Sequence, residues 1–227
     1  MSERVVNELM KEVGQLKESL LLMGGSIESM MSEARVALQN RDATLALQIV
    51  DRDLQIDEME KKCDELAISI LSLSPISTKD LRFACSALKI TTDMERMGDE
   101  IKNVCERIIE LRDLPPIDEF PEVGQLFEMA SNLVTKSLDA FVSFSSQEAG
   151  RTLPLDEELD RMHRKIYGQC RDRMLRHPEQ IPSILKYMYL SKYLERIGDH
   201  ATNISEQVIF MVEGLDIRHI ADVQALP

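Results

Sequence analysis

The sequence predicts an all-α protein made of two tandem three-helix bundles, in which six long helices are related by an internal repeat. Three observations predict this fold. The 227 residues include only 9 glycines and 8 prolines, and aromatic residues make up 4% of the chain, so helix-forming residues dominate. Apolar residues recur at alternating spacings of three and four, as they do on a helix with one buried face. A stretch near residue 100 also recurs near residue 200, which indicates a duplicated unit.

Helix-breaking residues divide the chain into six predicted helices. Asp42 is placed to cap the second helix after a break at residues 40–42. The other breaks are marked by prolines, namely Pro75, Pro115, Pro116, Pro121, Pro154, Pro178 and Pro182. The predicted helices span residues 4–40, 43–73, 78–113, 120–148, 154–176 and 180–213. The tail from Asp216 is predicted to be irregular.

Two of these helices carry the clearest apolar seams. In the third helix the seam consists of Ile90, Met94, Met97, Ile101, Val104, Ile108 and Leu111. In the sixth helix it consists of Leu190, Leu194, Ile197, Ala201, Ile204, Val208 and Met211. The two seams are offset by 100 residues at every position, and each is long enough to form the core-facing side of a bundle helix.

The repeat is also visible residue by residue. Seven of the fifteen residues at positions 95–109 are identical to those at positions 195–209. A duplicated three-helix unit accounts for this identity, and the proline cluster at the middle of the chain is its natural junction. We therefore predict one three-helix domain over residues 1–115 and a second over residues 116–227.

The charge of the chain excludes some classes of partner. It has 27 basic and 40 acidic residues, and its formal net charge is −13. A nucleic-acid backbone or an anionic lipid surface would need a basic face.

The four cysteines lack a metal-binding spacing, and no stretch approaches the ~20 apolar residues of a membrane-spanning helix. We predict a soluble cytoplasmic protein.

Four pairs of acids with the spacing acid-x-x-x-acid are the main candidate functional residues. On a helix, residues four apart lie on one face, where two like charges repel by roughly 0.2–0.5 kcal/mol. A bound cation would reverse that repulsion, and hard cations and iron accept carboxylate ligands. We expect the pairs on the outer faces of the bundles, in grooves between neighbouring helices. They are Asp53 and Asp57, Glu95 and Asp99, Asp156 and Asp160, and Glu195 and Asp199.

The acids alone leave a second interpretation open, because acidic pairs on an outer helix face are usually just solvated. Two glycines, Gly98 and Gly198, stand inside the acidic motifs. A glycine inside a helix costs about 1 kcal/mol relative to alanine, so this pair indicates close approach of another helix or of a ligand. Weaker candidate ligands are Asn103, Asn203, His163 and His200.

Several motifs together resemble the PhoU family of phosphate-uptake regulators. The doubled motif reads DMERMGD at 93–99 and LERIGDHATNISE at 194–206. Further matches are DLQIDEME at 53–60, DLR at 80–82, ALKI at 87–90 and FMVEGLDIRH at 210–219. The resemblance covers nearly the whole chain and implies a fold of two three-helix bundles. It also implies that the eight paired acids hold multinuclear metal clusters on the bundle surface, often of iron, with other divalent cations as further candidates.

The resemblance implies a function as well. It implies a negative regulator of phosphate uptake and of the phosphate-starvation response. Such a protein is a non-enzymatic adaptor that binds the ATPase subunit of a phosphate transporter and a sensor histidine kinase, and it meets the membrane only through those partners. The sequence leaves open whether the protein forms a homodimer. It also leaves open two alternative functions, a carboxylate-bridged metal enzyme and a plain helical scaffold. The sequence shows no basic pocket for phosphate itself, so direct binding would need the charge of a bound metal.

Overall fold

Helices make up nearly all of the part of the chain that the structure describes. The computed structural model describes residues 3–117 and 120–218. In those residues the chain forms six α-helices, and a turn of 3-10 helix at Pro178–Gln180 precedes the last of them. The helices are α1 (Glu3–Asn40), α2 (Ala43–Ser72), α3 (Thr78–Arg112), α4 (Pro121–Ser143), α5 (Ser146–Arg176) and α6 (Ile181–Glu213).

The six helices pack as two groups of three. Helices α1, α2 and α3 contact one another, and so do α4, α5 and α6, while α3 and α6 make the most extensive contact in the molecule and join the two groups. These helices run antiparallel, because Arg196 of α6 contacts Glu100 of α3 and His200 contacts Asp93. The predicted all-α fold of two tandem three-helix bundles is therefore confirmed. The domain boundary between residues 115 and 116 stays a prediction.

The core lies along the predicted seams. Every residue of the seams of α3 and α6 is buried. The apolar residues of α1 and α4 close the core from the other side, with Leu16, Leu20 and Phe127 completely enclosed. The spacing pattern therefore identified the buried faces correctly. Among the described helices, none is long and apolar enough to cross a membrane.

The boundary between α4 and α5 differs from the prediction. The sequence predicts that Pro154 opens the fifth helix, but α5 begins at Ser146 and contains Pro154. The prediction that the fourth helix continues to residue 148 is also wrong, because α4 ends at Ser143 and Phe144 caps it with a φ of 52°. The backbone N–H of Glu148 donates to Ser145 Oγ at 3.2 Å. This serine–glutamate spacing starts a helix, and Pro154 is accommodated as an exposed residue of it.

Gly98 and Gly198 mark the places where helices approach most closely. A Cβ atom on Gly98 would lie 3.2 Å from Ile56 Cγ2 of α2, and one on Gly198 would lie 3.1 Å from Leu159 Cδ1 of α5. The sequence left open whether a helix or a ligand approaches these glycines, and the structure shows a neighbouring helix in both halves. Because the backbones come so close, the side chains beside each glycine face those of the partner helix.

Replacing Gly198 by valine tests this packing. A branched side chain there would push against Leu159, whose Cδ1 lies 3.1 Å from the Cβ position. We expect the free energy of unfolding, measured by urea denaturation, to fall by about 1–3 kcal/mol, the range for an overpacked core. The matched control is Gly168→Val in α5, since a Cβ there would have no neighbour within 4 Å. An equal loss of stability in both variants would contradict the role of Gly198.

Candidate metal centre

The acidic pairs of the second half come together across two helices. Helix α5 supplies Asp156 and Asp160, and α6 supplies Glu195 and Asp199. One carboxylate oxygen each of Asp160, Glu195 and Asp199 lies within 4.8 Å of the other two. Oxygen ligands bind hard cations at about 2.0–2.6 Å, so oxygens on opposite sides of one ion are about 4–5 Å apart. These three carboxylates are therefore spaced to share a cation.

Asp156 completes this group, which we call the second-half acids. It is half-buried beside Gly198, and its Oδ1 is buried and accepts no hydrogen bond from the described residues. Burial and the negative charge of Asp160 raise the pKa of Asp156, and the nearby Thr202 side chain partly offsets that rise. A buried oxygen without a donor is costly, and a cation at this position would remove the cost. The donor set thus fits a metal.

Asp199 shows the electrostatic strain of the group most clearly. Loss of solvation, followed by the negative charges of Glu195, Asp156 and Asp160, raises the pKa of Asp199 from 3.8 to about 6. The adjacent His200 opposes this rise. The pKa rises although part of the Asp199 side chain is exposed. The positive charge near these four carboxylates is therefore too small to offset the repulsion among them.

The matching group in the first half is arranged differently. Asp53 is 4% exposed, so it lies beneath the surface between α2 and α3, whereas the sequence predicts it in an outer groove. Lys102 Nζ donates to Asp53 Oδ2 at 2.6 Å, and this hydrogen bond raises the pKa of Lys102. Asp57, Glu95 and Asp99 are half-buried. The first half therefore contains a built-in ammonium at its most buried acid.

Arginine adds a second cation to the first half. Arg96 Nη1 lies 3.3 Å from Asp99 Oδ2, and its Nε lies 3.4 Å from Glu95 Oε2. The repeat places Arg196 at the matching position, but its Nη1 pairs with Glu100 Oε1 of α3 at 2.8 Å. Arg196 thus serves the contact between the two bundles and does not neutralise the second-half acids. Burial and the charge of Asp99 still raise the pKa of Glu95.

Lysine 102 has no counterpart in the second half, where the repeat places Thr202. At the exposed rim of the second-half acids, Arg164 Nη1 lies 3.3 Å from Asp160 Oδ2. Sequence reasoning missed the role of Lys102. The signal was available, because the aligned repeat shows lysine opposite threonine one turn after the acidic motif. The two groups are therefore chemically unequal.

The weaker candidate ligands have other partners. His200 Nδ1 lies 2.9 Å from Asp93 Oδ1, and Asn203 Nδ2 donates to the same oxygen at 3.1 Å. Asn103 Nδ2 donates to Glu100 Oε2 at 3.2 Å. His163 Nδ1 lies 3.2 Å from Ser191 Oγ. Two of these four side chains, His200 and Asn203, thus belong to the contact between α3 and α6 rather than to the acidic groups.

The fold and the acidic groups define a class of protein. It is an all-α tandem repeat in which facing helices of each bundle carry carboxylate pairs. The PhoU domain is the family whose pattern matches, over residues 20–108 and again over residues 123–208. The chain belongs to the PhoU family.

Individual relatives agree over nearly the full length. The chain is 33% identical over 221 residues to the Phosphate-specific transport system accessory protein PhoU homolog of Pseudomonas putida, covering 97% of this chain and 86% of the relative. It is 33% identical over 204 residues to the homolog of Zymomonas mobilis, with coverage of 90% and 86%.

Solved structures agree as well. PhoU from Pseudomonas aeruginosa superposes with a TM-score of 0.87 at 33% identity and covers 90% of this chain and 99% of its own. The phosphate transport system regulatory protein PhoU from Streptococcus pneumoniae has a TM-score of 0.83 at 24% identity, with coverage of 92% and 98%. This second likeness supports the fold alone.

The raised pKa of Asp199 predicts how stability depends on pH without metal. The pKa in the fold is about 6 against 3.8 ordinarily, so the unfolded chain loses its proton first and stability falls as pH rises through this range. Asp199→Asn removes that loss. We expect it to raise the free energy of unfolding at about pH 7.5 in EDTA by about 1 kcal/mol, a figure reduced for solvent screening. Below about pH 3.5 the effect should vanish.

Urea denaturation at both pH values measures this difference. Glu158→Gln is the control, since Glu158 is an exposed acid on the neighbouring helix and its loss should change stability little at either pH. A lower stability of Asp199→Asn at both pH values would refute the electrostatic explanation.

Proposed function

We propose that this chain is a negative regulator of phosphate uptake and of the phosphate-starvation response. It acts in the cytoplasm as a metal-binding adaptor between the ATPase subunit of a phosphate transporter and a sensor histidine kinase. The observation that carries the proposal is the match at 33% identity over 97% of the chain to a protein named as an accessory of the phosphate-specific transport system. An accessory role also supports binding rather than enzymatic turnover.

The metal-binding part of the proposal rests on the acidic groups. Eight carboxylates from the four pairs are the ligands we propose, as two multinuclear clusters of iron or another divalent cation. The second-half acids support metal binding most directly, because one carboxylate oxygen each of Asp160, Glu195 and Asp199 lies within 4.8 Å of the other two. Bound metal would supply positive charge to facing helices, and this charge would hold α5 against α6.

Lys102 makes the first-half site weaker in this proposal. Its ammonium contacts Asp53 at 2.6 Å, where a cation would otherwise bind, and a metal would have to displace it or share the acid with it. Thr202 carries no charge at the matching position. We therefore expect the second-half acids to bind metal more tightly than Asp53, Asp57, Glu95 and Asp99.

Exchanging the two residues tests this difference. Thr202→Lys places an ammonium beside Asp156 and should abolish the tighter class of sites, whereas Lys102→Thr should strengthen binding in the first half. Equilibrium dialysis of the EDTA-treated chain against Mn²⁺ measures the number and affinity of the sites. We expect Thr202→Lys to weaken the tighter class by roughly tenfold or more, about 1.4 kcal/mol of binding free energy.

Two controls accompany the exchange. Lys136→Thr removes an exposed lysine of α4 and should leave Mn²⁺ binding unchanged. Lys102→Gln keeps a donor for the buried Asp53 carboxylate and guards against unfolding of Lys102→Thr, which thermal melting would reveal. If wild type and Thr202→Lys bind Mn²⁺ equally, the second-half acids are not the tighter site.

Capture of the partners tests the adaptor role. The immobilised full chain, loaded with Mn²⁺ at high phosphate, should retain the transporter ATPase subunit and the cytoplasmic part of the kinase. Asp160→Asn combined with Asp199→Asn should reduce retention by roughly tenfold, since it removes two of the three clustered carboxylates.

The matched control for this capture is Glu157→Gln combined with Glu158→Gln, which changes two exposed acids of the same helix and should retain both partners. Failure of wild type to retain either partner at any phosphate concentration would refute the adaptor role. Equal retention by the double variant and wild type would separate the adaptor role from metal binding.

A further inference from the structure

A cavity at one end of the molecule differs from the acidic surface around it. It has a volume of about 420 Å³ and lies between α1, the start of α3 and the C-terminal ends of α4 and α6. Three cations and four apolar side chains line it, and none of these residues is an acid. They are Lys17, Lys79, Arg82, Phe83, Phe144, Met211 and Val212. This composition is unexpected in a chain with 40 acidic and 27 basic residues.

The three cations have no acidic partner. Within residues 3–117 and 120–218, none of them forms an ion pair or donates a hydrogen bond. Arg82 Nε is buried and has no acceptor in the same part of the chain. A buried donor without an acceptor costs free energy. Three unpaired cations that converge on one cavity can together bind an anion.

Residues at the C-terminal ends of α4 and α6 hold two of these cations in place. Lys17 Nζ lies 4.6 Å from the ring centroid of Phe144 and 5.5 Å from that of Phe83, so ring faces position the ammonium without neutralising it. Phe144 adopts a left-handed backbone with a φ of 52°, which is unfavourable for a bulky residue.

Arg82 is held on the other side of the cavity. Gly214 caps α6 with a φ of 77°, and a Cβ atom on it would lie 2.6 Å from Arg82 Nη1. The glycine at the end of α6 therefore leaves space for the Arg82 guanidinium where it now lies.

A simpler explanation is that the three cations only stabilise the C-terminal ends of α4 and α6. The balance of charges argues against it. Each helix end carries roughly half a negative charge, so two ends offset about one of the three positive charges. Asp80 lies in the first turn of α3, but it accepts a hydrogen bond from Ser77 Oγ at 2.6 Å and does not line the cavity. A surplus of about two positive charges remains.

We propose that this cavity binds a phosphoryl group, either as free phosphate or as part of a small organic phosphate. A phosphate monoester carries a charge of about −1.5 to −2 near neutral pH, which matches the surplus, whereas a carboxylate carries one charge. The guanidinium of Arg82 can bind two phosphate oxygens at once, and Lys17 and Lys79 add point charges. The apolar wall of Phe83, Met211 and Val212 would contact the organic part of a phosphate ester.

The site is separate from the acidic groups. Arg82 and Glu95 are thirteen residues apart on α3, which is about 20 Å along the helix. Binding here needs no metal, so the inference stands independently of the proposed metal centre and of the adaptor role.

Calorimetric titration of the full chain in EDTA tests the proposal, because EDTA removes phosphate binding through a metal. The probes are orthophosphate and ADP, and adenosine is the ligand without a phosphoryl group. We expect wild type to bind at least one of the two phosphate compounds and not adenosine. Arg82→Gln and Lys17→Gln should each weaken that binding by roughly tenfold. Lys192→Gln should not, since it removes an exposed lysine of α6 about 28 Å from Met211 along the helix.

The outcomes separate the sources of the phosphoryl group. Equal affinity for orthophosphate and ADP would show that the phosphoryl group alone is bound, and tighter binding of ADP would show a small organic phosphate. Circular dichroism of each variant excludes unfolding as the cause of a loss. Absence of binding by both phosphate compounds would overturn the proposal, and so would equal binding by wild type and Arg82→Gln. An acidic peptide that binds through Arg82 when neither phosphate compound does would overturn it in favour of a protein partner.

Discussion

The close approach of paired helices at Gly98 and Gly198 is the constraint on which the acidic groups depend. At each glycine the missing side chain lets a neighbouring helix come within contact of the backbone. The carboxylates of facing acidic motifs are then forced together, and in the second half three of them lie within 4.8 Å. Packing energy therefore brings like charges together, and each half must supply positive charge to balance them.

The two halves meet that requirement in different ways. The first half has Lys102 on Asp53 and Arg96 between Glu95 and Asp99. The second half has Thr202 at the lysine position, and its arginine pairs with Glu100 across the contact between bundles. One duplicated fold thus carries a group balanced from within and a group that remains short of positive charge. This inequality is the reason why we propose that the second half binds metal more tightly.

The distribution of charge along the helices separates two kinds of chemistry. Acids occupy the middle of the paired helices, where the glycines bring backbones together, whereas three unpaired cations occupy the cavity at the ends of α4 and α6. The net charge of −13 conceals this cavity, because a sum over the chain carries no positions. A rigid scaffold with an acidic centre and a basic end can respond to a cation and to an anion separately.

The sequence by itself determined the helices, their buried faces and the repeat, because all three depend on local spacing: the seams of α3 and α6 are buried as predicted. Local signals also competed, and Pro154 was misread because the stronger start signal at Ser145 and Glu148 lies upstream of it. Only the tertiary structure decided which charges meet. Arg196 pairs with Glu100 of α3, whereas its repeat partner Arg96 pairs with acids of its own helix. Similarly, Lys17, Arg82 and Phe144 are far apart in the chain but line one cavity. Such contacts depend on how the helices pack. The periodicity of one helix does not determine the axial position of the helix that packs against it.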